Sequence, residues 1–205
     1  MFARSSTMIA QPSSIDRGIA LLDGDLMTDL LDIDGCVGLS LLVDRDTGRC
    51  VATSSWESQQ AMRASEGRVP PLRKRMTDAF GAPDLTNDEW DVAVMHRLHR
   101  APTGAHVRVS YLRGTPRSDQ PTQIFTSNLP IFEGFSGFCS ASLLLNHDDG
   151  RIVSNVIFDS ADALAKAGRR STQLRDKAAR TMDAEIVEVA EFELALAHLR
   201  VPELV

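Results

Sequence analysis

The segment that decides the fold occurs twice, as GCVGLSLLVDRDTGRCVATSSWESQQAMRAS (Gly35–Ser65) and as GFCSASLLLNHDDGRIVSNVIFDSADALAKA (Gly137–Ala167). The two copies align without a gap at an offset of 102 residues. Such self-similarity predicts one supersecondary unit that the chain uses twice. The identical pairs are Gly35/Gly137, Ser40/Ser142, Leu41/Leu143, Leu42/Leu144, Asp46/Asp148, Gly48/Gly150, Arg49/Arg151, Ser58/Ser160 and Ala61/Ala163.

Each copy predicts a β-hairpin followed by a helix. Apolar runs flank Asp-Arg-Asp-Thr-Gly in the first copy and His-Asp-Asp-Gly in the second, and Asp and Gly favour the turn of a hairpin. Ser58 and Ser160 stand where an N-cap would begin the next helix. In the first copy, Pro70-Pro71 is expected to split that helix.

The flanking residues complete each unit. First strands are predicted over 2–9 and 106–113, and a first helix over 14–33, where apolar residues recur at three- and four-residue steps. The second copy of that helix, over 121–135, contains Pro130, which makes its pattern weaker. Fourth strands are predicted over 90–95 and 187–192.

The element order βαββαβ predicts a ferredoxin-like unit, in which both helices cover one face of an antiparallel sheet. The predicted strands are apolar on both faces, so the uncovered face also needs burial. We therefore predict an α+β fold of two tandem ferredoxin-like repeats, over 1–98 and 105–205, joined by a linker over 99–104. The two sheets are expected to form an eight-stranded barrel, a pseudo-dimer within one chain, which leaves a further homodimer possible.

A family resemblance rests on the junction between the third strand and the second helix. The segment WESQQAM (Trp56–Met62) is similar to the aromatic-acid-Ser-x-x-Ala-(Leu/Met) signature of antibiotic biosynthesis monooxygenase domains, and FDSADAL (Phe158–Leu164) repeats it. The resemblance covers essentially the whole chain as two copies. It implies the dimeric α/β barrel fold, which here would close within one chain.

The same resemblance implies a possible chemistry. Catalytic members of the family oxidise quinol-like aromatics without metal or flavin, in a cavity between the sheet and the helices. Haem-degrading members need a helix histidine and a first-strand asparagine. The histidine position here falls near Ser65 or Glu66 and near Ala167 or Gly168, and neither first strand contains Asn. We therefore expect no cofactor and no metal.

Two residues are candidates for catalysis. Trp56 occupies a position where the family often has a cavity-lining Trp, so its indole is expected to stack on a flat substrate, or else to pack as a core aromatic. His96, near the end of the fourth strand, is expected either to act as a base toward a phenol or to be half-exposed without a catalytic role.

Three further residues are candidates for substrate binding. Arg4 and its equivalent Arg108 are expected either to pair with Asp91 and Glu188 on the fourth strands or to bind an anionic ligand. Tyr111 is the one tyrosine, and its hydroxyl would reach a substrate or lie at a half-buried strand position. Asn155 sits among apolar neighbours and either satisfies a local backbone group or points into a cavity.

The composition limits the classes of function. The chain has 205 residues and a net charge of −6, which disfavours nucleic-acid binding. The basic groups Arg73-Lys74-Arg75 and Arg169-Arg170 are interpreted as solvated helix faces. No apolar run is long enough to span a membrane, and Met1–Ile9 lacks the apolar stretch of a signal peptide, so a cytoplasmic location is expected.

Two functions remain open from the sequence. The first is a cofactor-independent monooxygenase-like enzyme that acts on a small aromatic of the quinol or phenol type. The alternative is a non-catalytic domain, related to stress or to binding a small hydrophobic or aromatic ligand. An open pocket between the sheet and the helices would favour the first, and a filled space would favour the second.

Overall fold

The computed structural model describes residues 1–114 and 119–199. Its eight strands are β1 (Phe2–Ile9), β2 (Cys36–Val43), β3 (Arg49–Trp56), β4 (Leu85–Arg97), β5 (His106–Gly114), β6 (Phe138–Asn146), β7 (Arg151–Phe158) and β8 (Ala184–Leu199). They are hydrogen-bonded in the order β1-β3-β2-β8-β5-β7-β6-β4, which closes as a barrel, and the pairings resolved between them are antiparallel.

The helices alternate with the strands as the repeat predicts. They are α1 (Ile15–Leu21), α2 (Met27–Leu31), α3 (Gln59–Ala64), α4 (Val69–Phe80), α5 (Gln120–Glu133) and α6 (Ala161–Met182). The strand order and the element order confirm the predicted α+β fold of ferredoxin-like repeats with an eight-stranded barrel.

The chain divides into two compact units. The first comprises Met1–Trp90 together with the end of β8 from Leu194, and the second comprises Asp91–Glu193. The residues of the predicted linker, 99–104, lie outside the helices and strands, between β4 and β5.

In the first unit, the helical layer is broken in two places. A π-helical turn over Leu22–Leu26 separates α1 from α2, because Gly24 adopts non-helical angles there. The single helix predicted over 14–33 is therefore two short helices. The expected break before α4 is present: α3 ends at Ala64, a short 3-10 turn follows, and proline occupies the first turn of α4.

In the second unit, both helices are continuous. Pro130 lies inside α5 without ending it, and α6 runs unbroken for 22 residues. The uninterrupted α5 has 14 residues, close to the predicted range 121–135, and it is more regular than the sequence pattern indicated. Its buried side chains, Phe125, Leu129 and Phe132, pack in the core between α5 and the sheet.

The Ser-x-x-Ala signature has a packing explanation in both units. Ser58 and Ser160 accept hydrogen bonds from the backbone N–H groups of Ala61 and Ala163 and so cap α3 and α6. A Cβ atom on Gly35 would lie 2.5 Å from the Cβ of Ala61, and one on Gly137 would lie 2.6 Å from that of Ala163. Both glycines also have φ of +76°. The start of the hairpin therefore packs directly on the first turn of the helix, and only glycine fits.

Candidate active site

Each unit contains a cavity between its sheet and its helices. The first cavity, in the first unit, comprises about 460 Å³ of space, and the second cavity, in the second unit, about 690 Å³, in both cases including space that is open to solvent. Equivalent residues of the repeat line the two cavities: Arg4/Arg108, Ser6/Ser110, Ala52/Ser154, Ser54/Val156, Val69/Ser171, Leu72/Leu174, Arg73/Arg175 and Met76/Ala178. The walls are otherwise mostly apolar, as in small-molecule sites generally.

A buried arginine from the first strand of each repeat lines each cavity. Arg4 on β1 is 3% exposed and Arg108 on β5 is 9% exposed. Each donates a hydrogen bond through Nη2 to one carbonyl oxygen of the helix that follows the third strand of its repeat, Met62 of α3 at 3.3 Å for Arg4 and Leu164 of α6 at 3.2 Å for Arg108. A buried guanidinium requires acceptors for its remaining N–H groups.

In the first unit, the acceptors around Arg4 are numerous. Its Nη2 lies 2.8 Å from Oε1 of Glu89 and 2.5 Å from Oε1 of Glu66, and its Nη1 donates to Ser65 Oγ at 3.4 Å. Ser65 and Glu66 form part of the short 3-10 turn after α3. Arg4 therefore has two carboxylates and a hydroxyl within the first unit itself.

In the second unit, Arg108 has fewer acceptors. Its Nε and Nη2 donate to Oε1 of Glu191 at 3.0 and 2.7 Å. Its Nη1 is buried and has no hydrogen-bond partner. The positions equivalent to Ser65 and Glu66 are Ala167 and Gly168, which have no polar side chain.

The expected strand Arg–carboxylate pair thus exists in both units, but its partners are Glu89 and Glu191. The register places Arg108 opposite Glu191 and Tyr111 opposite Glu188. Asp91 instead lies near His147, with 3.6 Å between its Oδ2 and Nε2 of the histidine.

A second arginine, from the second helix of each repeat, also lines each cavity. Arg73 Nη2 is buried without a hydrogen-bond partner and lies 3.7 Å from Glu66 Oε1. Burial lowers the pKa of Arg73, the nearby charge of Arg4 lowers it further, and Glu66 opposes both effects. Arg175 is held by Asp176, with 3.0 Å between Nη2 and Oδ1.

The helix arginines were missed by sequence reasoning. The interpretation of the basic run at Arg73 as a solvated face was wrong for this residue, because it lines the cavity. The signal that could have identified it is the match of Leu72-Arg73 to Leu174-Arg175 at the repeat offset.

Trp56 is fully buried in the core of the first unit and is not among the residues that line the first cavity. Its indole N–H donates to Ser54 Oγ at 3.1 Å, and the Ser54 hydroxyl donates to the backbone oxygen of Arg4 at 3.3 Å. Ser54 does line the cavity. The second unit has Phe158 and Val156 at these positions, so the indole donor and its hydroxyl acceptor are replaced together.

His96 lies in the second unit, outside the second cavity. Its Nε2 lies 2.8 Å from Oε1 of Glu133, and its ring stacks on Phe138 with 6.3 Å between centroids. Phe138 in turn stacks on Phe132, which lines the second cavity. The histidine is therefore linked to the cavity through aromatic rings.

Tyr111 and Asn155 lie on the face of the sheet opposite the second cavity. Side chains alternate along a strand, and Arg108, Ser110 and Leu112 of β5 face the cavity. Tyr111 therefore faces away from the cavity. Asn155 of β7 likewise alternates with cavity-lining residues, and its side-chain amide donates to Ser142 Oγ at 3.1 Å.

Neither a metal centre nor a membrane span is found among residues 1–114 and 119–199. No group of three or more His, Cys, Asp or Glu side chains there is placed to hold a metal ion. No helix in the same residues is long and apolar enough to cross a membrane.

Comparisons with known proteins identify both relatives and folds. No family model matches the chain. The Mycobacterium tuberculosis protein Rv2558 is 50% identical over 208 residues, which cover 100% of this chain and 88% of the relative. A crystal structure from Lactobacillus acidophilus matches with a TM-score of 0.67 at 9% identity, over 97% of this chain and 96% of that one.

A crystal structure of an anthrone oxidase-like protein also matches, with a TM-score of 0.65 at 12% identity over 97% of this chain and 93% of that one. At such low identity, these structures establish the fold. The fold is the one found in antibiotic biosynthesis monooxygenases and their relatives. The chain belongs to the same family as Rv2558, and it has the fold of the antibiotic biosynthesis monooxygenases.

Proposed function

We propose that the chain is a cofactor-independent, monooxygenase-like protein that acts on a small aromatic of the quinol or phenol type. The observation that supports this proposal is the pair of equivalent cavities, each with apolar walls and a buried strand arginine. The apolar walls suit a flat hydrophobic body. The guanidinium suits an oxygen atom that gains negative charge.

The arginines supply the electrostatic part of the chemistry. Positive charge near a bound phenol or enol lowers the pKa of that hydroxyl, because it favours the anionic form. In the low-dielectric surroundings of a largely apolar cavity, this effect is stronger than in bulk water. The effect would be larger in the second cavity, at Arg108 and Arg175, than in the first cavity, where Glu66 offsets the charges of Arg4 and Arg73.

Deprotonation makes such a substrate reactive toward O₂, which is the oxidant. For a methylene between two aromatic rings, the proton leaves to solvent and the carbanion forms a carbon–oxygen bond to O₂. The resulting peroxide takes up a proton and then loses water, which breaks the O–O bond and leaves a carbonyl. One oxygen atom ends in the product and the other in water, so the methylene and O₂ give a carbonyl and H₂O.

Trp56 would act as a positioning residue in this proposal. It does not line the first cavity, but its N–H holds Ser54, and Ser54 in turn holds the backbone of Arg4. Trp56→Phe would remove this hydrogen-bond donor and keep a buried aromatic ring, as Phe158 does at the equivalent position, although the smaller ring leaves space in the core. We assign His96, Tyr111 and Asn155 no contact with the substrate, because none of them lines a cavity.

The test is oxygen uptake by the purified, chelator-treated protein with a panel of quinols and anthrones. Ala178→Met would narrow the second cavity with the side chain that the first unit already has at Met76, and Ala178→Ser is the matched control. A loss with Trp56→Phe would assign turnover to the first cavity. A loss with Ala178→Met but not with Ala178→Ser would assign it to the second. Uptake that no variant lowers, or no uptake above background, would contradict the proposal.

A specific observation favours the non-catalytic alternative. Among the described residues, the linings of both cavities include no histidine and no carboxylate that could serve as a general base. A protein that only binds a ligand needs no such base. Tight binding of the same aromatics without oxygen uptake would support this second function.

A further inference from the structure

We propose that the second cavity recognises a carboxylate, and that its ligand is an amphipathic acid with an apolar, aromatic-sized body. The inference rests on the proposed role of the cavities as ligand sites and names the class of ligand. It depends on a difference between the two units at otherwise equivalent positions around the strand arginine.

The first unit contains its own carboxylate at this position. Glu66 lies 2.5 Å from Nη2 of Arg4 and 3.7 Å from Nη2 of Arg73, so it bridges both arginines of the first cavity. Ser65 accepts from Nη1 of Arg4. The positive charge of the first cavity is therefore compensated from within the chain.

The second unit lacks both acceptors. Ala167 replaces Ser65, and Gly168 replaces Glu66. A Cβ built on Gly168 would lie 3.8 Å from Nη2 of Arg108, which places this position beside the guanidinium. The space that a carboxylate side chain occupies in the first unit is thus left without one in the second.

The guanidinium of Arg108 also retains hydrogen-bonding capacity. Its Nη1 is buried and unpaired, whereas its Nε and Nη2 already bind Glu191 and the Leu164 carbonyl. A buried donor without an acceptor is costly, so an arriving carboxylate oxygen would be bound strongly. A ligand oxygen would therefore give Arg108 the hydrogen-bond acceptor at Nη1 that Ser65 provides for Arg4.

The remainder of the second cavity defines the rest of the ligand. Its lining consists mostly of apolar side chains, among them Phe125, Phe132 and Leu143. Such walls favour an apolar body over a polar one. The carboxylate would face Arg108, and the body would lie between α5, α6 and the sheet.

Calorimetric titration with 2-naphthoate tests the inference, with 2-naphthylmethanol as the neutral analogue of the same size. We expect one site per chain for the acid and binding of the alcohol at least about tenfold weaker, which corresponds to loss of one charge-assisted hydrogen bond. Gly168→Glu would supply an internal carboxylate as in the first unit and is expected to abolish binding of the acid. Gly168→Gln has the same size without the charge and should retain binding.

The reciprocal change tests whether Ser65 and Glu66 prevent a carboxylate from binding in the first cavity. Ser65→Ala combined with Glu66→Gly introduces the Ala-Gly sequence of the second unit, and it is expected to raise the stoichiometry from about one site to about two. Equal affinity for acid and alcohol would overturn the carboxylate inference while leaving the proposed function standing. Unchanged affinity in Gly168→Glu would also overturn it. Binding of neither probe would remove the ligand-site role on which both proposals depend.

Discussion

Replacing Arg4 with methionine is expected to destabilise the protein much more than the same replacement of Arg108. Methionine keeps much of the apolar stem of either arginine and removes the charged head group. Arg4 loses contacts with two carboxylates, a hydroxyl and a carbonyl. Arg108 loses contacts with one carboxylate and a carbonyl, and its unpaired Nη1 disappears as well.

The magnitudes follow from these contacts. Glu66 and Glu89 are 52% and 40% exposed, so each ion pair contributes only about 1 kcal/mol after solvent screening. The hydroxyl and carbonyl contacts of Arg4 add about 0.5 kcal/mol each, which gives a loss of roughly 3 kcal/mol. For Arg108, the lost contacts reduce the free energy of unfolding by about 1.5 kcal/mol. An unsatisfied buried donor costs about 1–3 kcal/mol, and the variant no longer has one, so the net change is close to zero.

Differential scanning calorimetry of both variants measures this difference. For a chain of this size, about 3 kcal/mol corresponds to a difference in Tm of roughly 6–12 °C between Arg4→Met and Arg108→Met. Equal losses of Tm in the two variants would refute the reasoning that Arg108 is incompletely satisfied without a ligand.

Two further predictions concern packing and the thiols. Gly18→Ala should lower the free energy of unfolding by about 1–3 kcal/mol, because the added Cβ would lie 2.5 Å from ring atoms of Phe80, and this clash outweighs the helix preference of alanine. Denaturant unfolding measures the loss, and adding Phe80→Leu should recover part of it. No loss in Gly18→Ala, or no recovery in the double variant, would contradict this. Burial raises the pKa of Cys50 and of Cys139 to about 11, so at pH 8 a thiol reagent should label the half-buried Cys36 first and the other two only on unfolding. Because the pKa of each thiol is raised in the folded state, the free energy of unfolding should decrease as the pH rises from about 9 toward 11. Rapid labelling of all three cysteines at pH 8 would contradict the burial of Cys50 and Cys139.

The repeat was the part of the fold that the sequence specified best. Its register aligns identical residues whose packing roles are the same in both units, such as Gly35 with Ala61 and Gly137 with Ala163. Helix continuity was less predictable. Pro130 stays within α5 against its local propensity, whereas the break between α1 and α2 occurs at Gly24, a residue type with low helix propensity.

The candidate site was only partly predictable for a related reason. Strand alternation and the repeat identified Arg4 and Arg108. Their carboxylate partners lie two or three residues along the fourth strands from the predicted Asp91 and Glu188. The sequence did not predict this register, and the pairing of β5 with β8 contains a register shift. The functional contrast between the units depends on Ser65-Glu66 against Ala167-Gly168. Those positions are informative only once the structure shows that they surround the arginines.

A crystal structure of the protein with bound 2-naphthoate would locate the ligand and its carboxylate. We expect the naphthalene ring in the second cavity, with a carboxylate oxygen at about 3 Å from Nη1 of Arg108. A ligand bound elsewhere, or one in the second cavity whose carboxylate points away from Arg108, would contradict it.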